Sequence, residues 1–283
     1  MIIVDLSQVI LSNLFQSSRD GMSFDEDVVR PMILNSIRSY RKKFSIDDYG
    51  ELVIAADGPN FWRRAVFPYY KANRKRDRDQ STIDWKSIFE ILNRVREEIK
   101  ENFPYRVIRV EGAEADDVIA TLVSENSLEG INNNVRIMIV SGDKDFIQLQ
   151  KYPNVEQYDP VKKKKIVHTD PHAFLREHIL RGDPGDGIPN VLSADDTFVL
   201  GTRSKALTSK SLVALMKSEP DDHEVLRNFK RNELLIDLSK VPTEVRKGIL
   251  QSYDAEAGKG KGKILPYILK NRLSVLLDYI GDF

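Results

Sequence analysis

Arg136-Ile-Met-Ile-Val140 runs directly into Ser141-Gly-Asp-Lys-Asp145. A short apolar run bounded by a Gly–Asp turn signal reads as a buried strand. This one ends on two carboxylates, and three other stretches also end in or just before acidic residues. Ile2-Ile-Val4 ends at Asp5, Leu52-Val-Ile-Ala-Ala56 ends at Asp57, and Arg106-Val-Ile-Arg-Val110 leads to Glu114, Asp116 and Asp117. Between the strands, apolar residues recur at helical spacing: Val29, Met32, Ile33, Ile37, Tyr40 and Phe44, then Trp85, Ile88, Leu92, Val95 and Ile99, then Val118, Ile119, Leu122 and Val123. Strands alternating with helices predict an α/β fold with a mostly parallel central sheet and helices on both faces. Beyond about residue 170 strand patterns become rare, and 173–180, 211–216, 225–237 and 265–280 read as helical. The expected division is an α/β core over 1–170, carrying a basic segment at about 60–80, followed by a helical region over 171–283. No internal repeat is present.

In an open parallel sheet the carboxyl ends of the strands share one edge, and ligands bind there. Acids far apart in sequence therefore converge. A single Asp after a strand is ordinarily a turn residue or a helix cap, and Asp116 and Asp117 would also suit the first turn of a helix. Four acidic strand ends on one edge point instead to a cation site, because clustered carboxylates must protonate or bind cations. Hard oxygen ligands suit Mg²⁺, with Mn²⁺ as a substitute. Two such ions are suited to in-line phosphoryl displacement.

Composition narrows the class. The 283 residues carry 43 basic and 43 acidic side chains and no cysteine, which removes disulfides and Cys-based zinc sites. The apolar runs are too short to span a membrane, and the start lacks a signal-peptide pattern, so a cytoplasmic protein that makes no membrane contact is expected. Zero net charge hides segregation. Basic residues gather at 63–78, 162–165 and 259–263, and acids at 111–117 and 183–186. The four histidines show no metal-type spacing and read as structural or surface residues.

Tyr70-Lys-Ala-Asn-Arg-Lys-Arg-Asp-Arg78 places Lys71, Arg74 and Arg78 at i, i+3, i+7. In a helix they would share a face able to hold a phosphate. Tyr70 is a candidate for stacking on a terminal base. Arg63 and Arg64, which open the basic cluster, are assigned to nucleic-acid contact with Tyr70 and Arg78. Lys162–Lys165 lies between two strand-like stretches and reads either as a soluble hairpin tip or as a phosphate contact.

Glu114-Ala-Asp-Asp117 with Val118-Ile-Ala120, Ser141-Gly-Asp-Lys-Asp-Phe146, Pro68-Tyr-Tyr-Lys-Ala-Asn-Arg74 and Gly182-Asp-Pro-Gly-Asp-Gly-Ile-Pro-Asn190 together resemble the flap endonuclease family of 5′-nucleases. The resemblance spans nearly the whole chain. It implies a PIN-like core, a helix-three-turn-helix motif and removal of RNA primers and flaps during replication. It also implies one metal held by Asp57, Glu114 and Asp116, with Asp5 acting through water. A second would lie around Asp117, Asp143, Asp145 and Asp186, with Asp183 nearby. Lys71 and Arg74 match the family's catalytic basic pair. The implied partners are branched or nicked DNA and RNA–DNA hybrid, bound by a monomer.

One stretch departs from the family. Val191-Leu-Ser-Ala-Asp-Asp196 replaces a glycine-rich hairpin that presents backbone groups to potassium and duplex phosphates. Asp195 and Asp196 would repel phosphate, so Arg203, Lys205 and Lys210 are the candidates for gripping the duplex. The apolar end Leu273–Phe283 reads first as a packed helix and second as a docking peptide for a sliding clamp or a single-stranded-DNA-binding protein. A structure-specific DNA-binding module without hydrolysis is the alternative reading. A compact acid-cluster ribonuclease or a phosphatase would leave the basic segment unexplained.

Overall fold

The computed structural model describes residues 1–19, 26–81, 83–127 and 135–283. The predicted strands form as β1 (Ile2–Asp5), β2 (Leu52–Ala55), β3 (Arg106–Ile108) and β4 (Ile137–Val140), joined by β5 (Val155–Asp159) and β6 (Lys164–Ile166). They make one sheet in the order β3-β2-β1-β4-β5-β6. β1 to β5 are parallel and β6 is antiparallel. The sheet is therefore the mostly parallel one expected.

β1, β2 and β4 are short and wholly buried because both faces are covered. Ile2, Val4, Leu52, Ile54, Met138 and Val140 face one core. Ile3, Val53, Ala55, Ile137 and Ile139 face the other. The period of two in a strand produces this division. The first core is filled by α1 (Leu6–Arg19) and α2 (Glu26–Lys43), with the short α3 (Ile46–Tyr49) beside it. After α4 (Trp62–Val66) and α5 (Ala72–Asp79), α6 (Trp85–Asn102) adds Ile88, Ile91, Val95 and Ile99 to that core. The second core is filled by α7 (Ala115–Ser127) and a 3₁₀ turn at Lys144–Lys151. Each fully buried Ile or Val contributes about 1.5–3 kcal/mol, which fixes the strand register and hence the positions of the acids beyond it.

The helical C-terminal part contains α8 (Pro171–Arg181), α9 (Ser209–Lys217), α10 (His223–Ile236), α11 (Thr243–Ala255) and α12 (Ile264–Lys270). It is not one body. α8, α9 and α10 enclose a third core together with Phe67 and Tyr70. α11 returns to the second core through Ile249, and α12 returns to the first through Ile264, Tyr267 and Ile268. The helix expected over 265–280 breaks at Arg272, whose φ of 54° lies in the left-handed region, and continues as a 3₁₀ turn at Ser274–Asp282. That end packs: Phe283 is buried against Phe103. The packed reading of the terminus is the one observed.

Candidate active site

Strand order reverses at β1, whose neighbours β2 and β4 lie on opposite sides. The crevice forms at the carboxyl ends there. A cleft of about 330 Å³ opens at this point, lined by Asp5, Asp57, Asp116, Asp143, Asp145, Asp183 and Asp186, with Lys71, Arg74 and Lys144 on its rim. A larger groove of about 790 Å³, between α1, α2 and the β5–β6 turn, has no acid in its lining. The acids gather in the smaller one.

The local roles of these acids are real and coexist with convergence. Asp5 accepts from the Gln8 amide at 3.2 Å and from Ser141 Oγ at 3.3 Å. Asp57 accepts from the Ala115 amide at 2.9 Å, which ties β2 to the start of α7. Asp143 caps the 3₁₀ turn by accepting from the Asp145 amide at 2.9 Å. These bonds aim carboxylates into the cleft and leave other lone pairs free. Burial, then the charges of Asp57 and Asp143, pushes Asp5 up to about 7. Burial and Asp143 push Asp145 up to about 7 and Asp116 well above the usual carboxylate range. Such a set holds its negative charge reluctantly until a cation offsets it. Hard oxygen donors in a polar cleft are what a divalent ion requires, so the residues fit the implied metal.

Behind the cleft lies a buried layer whose members sequence reasoning grouped differently. Glu114 and Asp117 are withdrawn from solvent. Arg63 bridges them, with Nη1 at 2.9 Å from Glu114 and 2.8 Å from Asp117, while its Nε donates to the Leu235 carbonyl of α10 at 2.9 Å. Trp62 Nε1 also donates to Asp117, at 3.1 Å. Asp117 is thus turned away from the cleft. Arg63, grouped with the nucleic-acid contacts, is only 2% exposed and cannot reach a phosphate. Tyr70 is equally buried, donates toward Glu114 at 2.8 Å and lies 3.0 Å from Asp186, and presents no ring for base stacking. Local sequence does not separate these residues from exposed Arg64; only the third core does.

Lys71 and Arg74 reach the acids, but not as one helical face. Lys71 precedes α5 with φ 55°, and its amide donates to the Asp186 carbonyl at 2.7 Å. Its Nζ pairs with Glu114 and lies 3.6 Å from Asp186, while Arg74 pairs with Asp186. Burial works against the Lys71 charge, but Asp186 and Glu114 overcome it and hold the ammonium well above its usual range. Arg78 turns away, with its guanidinium 5.7 Å from the centre of the Phe89 ring. The side chains of Lys75 and Asp77 lie outside the described residues. Lys162 of the β5–β6 turn pairs with Asp159, and Lys165 of β6 pairs with Glu156.

Asp183 and Asp186 enter from the turn after α8. Gly187 has φ 73°, and a Cβ there would meet the Tyr69 carbonyl at 2.9 Å, so glycine permits this turn to dock on the basic segment. Asp195 does not face phosphate as expected: Arg227 pairs with it at 2.9 Å and Arg231 pairs with it as well. Arg203 and Lys205 are exposed on the stretch that leads into α9, and Lys210 is exposed in its first turn.

His178, one of the histidines that read as structural or surface residues, lies against two of the lining acids. It is 6% exposed, with Nε2 3.2 Å from Asp183 and Nδ1 3.4 Å from Asp145. Its partners lie in the 3₁₀ turn after β4 and in the turn after α8, so no spacing signal marks it.

A model of the 5′-3′ exonuclease N-terminal resolvase-like domain matches residues 1–178, and one of the T4 RNase H C-terminal domain matches residues 172–283. The ribonuclease H of Enterobacteria phage T4 is 35% identical over 99% of this chain and 95% of that protein. The flap endonuclease Xni of Shewanella sp. (strain ANA-3) is 30% identical over 60% of this chain and 62% of the relative. A phage T5 flap endonuclease in a pseudo-enzyme-product complex with DNA and metal ions superposes with TM-score 0.63 at 19% identity, covering 89% of this chain and 98% of that one. Zinc-bound T5 5′-exonuclease gives TM-score 0.64 at 17% identity over 91% of this chain and 99% of that one, a likeness of fold. Among the described residues no helix is long and apolar enough to cross a membrane.

Proposed function

The chain belongs to the 5′-3′ exonuclease family and is a nuclease of it, and from that premise we propose a 5′→3′ exonuclease and flap endonuclease that uses two Mg²⁺ ions, with Mn²⁺ able to substitute. The observation that carries this reading is the convergence of seven aspartates on one cleft with Lys71 and Arg74 at its rim. Asp57 and Asp116, with Asp5 through water and Glu114 behind them, would hold one ion. Asp143, Asp145 and Asp186 would hold the other. Such ions supply an activated water and neutralise the leaving oxygen.

The chain's own residues do the rest. Arg63, Tyr70 and Trp62 fix Glu114 and Asp117, so the inner wall cannot collapse as charge builds. Lys71 and Arg74, beside Glu114 and Asp186, would hold the scissile phosphate and stabilise its developing charge. Exposed Arg203, Lys205 and Lys210 grip the duplex through its phosphates. The substrates proposed are 5′-flap or nicked DNA and RNA–DNA hybrid, which places the activity in removal of primers and flaps during lagging-strand replication. A monomer is sufficient for this geometry, and contact with a sliding clamp or a single-stranded-DNA-binding protein would use exposed surface.

The test uses a 5′-flap DNA and an RNA–DNA hybrid, labelled at either end, with Mg²⁺ or EDTA. Cleavage from the 5′ end that EDTA abolishes is the expected result. Tight binding without cleavage under any divalent cation would favour a structure-specific binding module instead.

A further inference from the structure

His178 stands between two acids that come from different elements. Asp183 Oδ1 accepts from the Gly185 amide at 2.8 Å, and its Oδ2 lies 3.0 Å from Lys144 Nζ and 3.2 Å from His178 Nε2. A carboxylate placed among donors is itself an acceptor, so the proton of the imidazole sits on Nε2. In the neutral ring the Nδ1 lone pair then faces Asp145 Oδ1 at 3.4 Å. Both atoms are buried, and neither has a hydrogen-bond partner. Two lone pairs in contact repel unless something positive lies between them.

Resting on the proposed metal-dependent reading of the same cleft, we infer that His178 Nδ1 and Asp145 Oδ1 are both ligands of one divalent ion, with Asp183 acting as the carboxylate that orients the imidazole. The ligand atoms of Asp145, His178 and Asp183 all lie within 4.8 Å of one another. An ion ~2.0–2.2 Å from each of two atoms 3.4 Å apart subtends roughly 100–115°, close to tetrahedral. A histidine that ligates through one nitrogen and donates from the other to a carboxylate is a recurrent arrangement, and it sets ring orientation and basicity. Asp183, already engaged by the Gly185 amide, Lys144 and His178, orients rather than ligates. A nitrogen donor shifts preference from Mg²⁺ toward Mn²⁺ and other transition metals. One of the two ions therefore sits in a mixed nitrogen–oxygen site.

The experiment is pulsed electron paramagnetic resonance on the full chain loaded with Mn²⁺, reading electron spin-echo modulation from directly bound ¹⁴N. The expected result is nitrogen modulation that disappears in His178→Gln, with Mn²⁺ affinity lowered on the order of 10–100-fold and Mg²⁺ affinity lowered less. If His178→Gln does not fold, the chain with His168, His172 and His223 replaced by Gln keeps His178 as its sole histidine, and the modulation must persist there. Bound Mn²⁺ without nitrogen modulation in the unaltered protein overturns the inference and leaves the metal-dependent reading intact; a proton then bridges the two atoms. No bound Mn²⁺ at all overturns both.

Discussion

Arg63 and Asp117 form an ion pair 2.8 Å apart, with side chains 2% and 0% exposed. The same guanidinium holds Glu114 and the end of α10, so one buried residue joins the wall of the cleft to the helical part. Arg63→Met would leave the buried Asp117 without its counter-charge and Glu114 with Lys71 alone, at a cost of about 3–5 kcal/mol. The expected outcome is a thermal midpoint lower by on the order of 10 °C, measured by calorimetry. An unchanged midpoint with weakened DNA binding would return Arg63 to the role its sequence neighbours suggested.

Lys71 touches the acids directly, and its backbone is held in the left-handed region by the Asp186 carbonyl. Lys71→Ala should lower kcat by roughly 10²–10³-fold while Mn²⁺ binding by calorimetry stays near the unaltered value. A loss confined to KM would show that Lys71 contributes to binding alone.

Asp5 predicts a pH effect on the metal-free protein. Its folded-state carboxyl is pushed up to about 7, first by burial and then by Asp57, against about 3.9 in an unfolded chain. Between these values the folded state binds more protons than the unfolded state, so stability falls as pH rises. Asp5→Asn removes that penalty. Without metal it should raise the midpoint relative to the unaltered protein at pH 8, and the gain should be clearly smaller near pH 5, vanishing only below the unfolded value of about 3.9. Denaturation followed at both pH values checks this, and a gain of the same size at both would contradict it.

Arg203, Lys205 and Lys210 are exposed on one short stretch of the chain. Reversing all three charges should weaken duplex affinity at low salt and flatten its salt dependence by about one unit of slope per lost phosphate contact. Unchanged duplex affinity, measured by fluorescence anisotropy, would remove these residues from the interface.

Strand ends were legible because burial on both faces leaves a continuous apolar run, and Asp5, Asp57, Asp143 and Asp145 follow theirs within a few residues. What periodicity could not supply was the division of roles among charges in one run. Arg63 and Arg64 are neighbours, yet a third core built from residues more than a hundred positions away buries the first and leaves the second in water. Lys71 and Arg78 looked like one helical face, but a tertiary hydrogen bond to Asp186 holds Lys71 outside the helix and an aromatic ring draws Arg78 to α6. His178 carried no signal at all, since its partners converge only in three dimensions. Asp195 looked repulsive to phosphate because its two arginines lie on α10.

The central claim is that the carboxylates at the switch point hold the ions that drive hydrolysis. The rate of cleavage of a 5′-flap DNA, followed against Mg²⁺ concentration in the unaltered protein and in Asp143→Asn, tests it most directly. The account predicts a rate that rises with Mg²⁺ more steeply than one ion allows, none in EDTA, and a loss of at least ~10³-fold in the variant, consistent with removal of a metal's transition-state stabilisation. Cleavage that persists in EDTA, or that survives in Asp143→Asn at the unaltered rate, would contradict it.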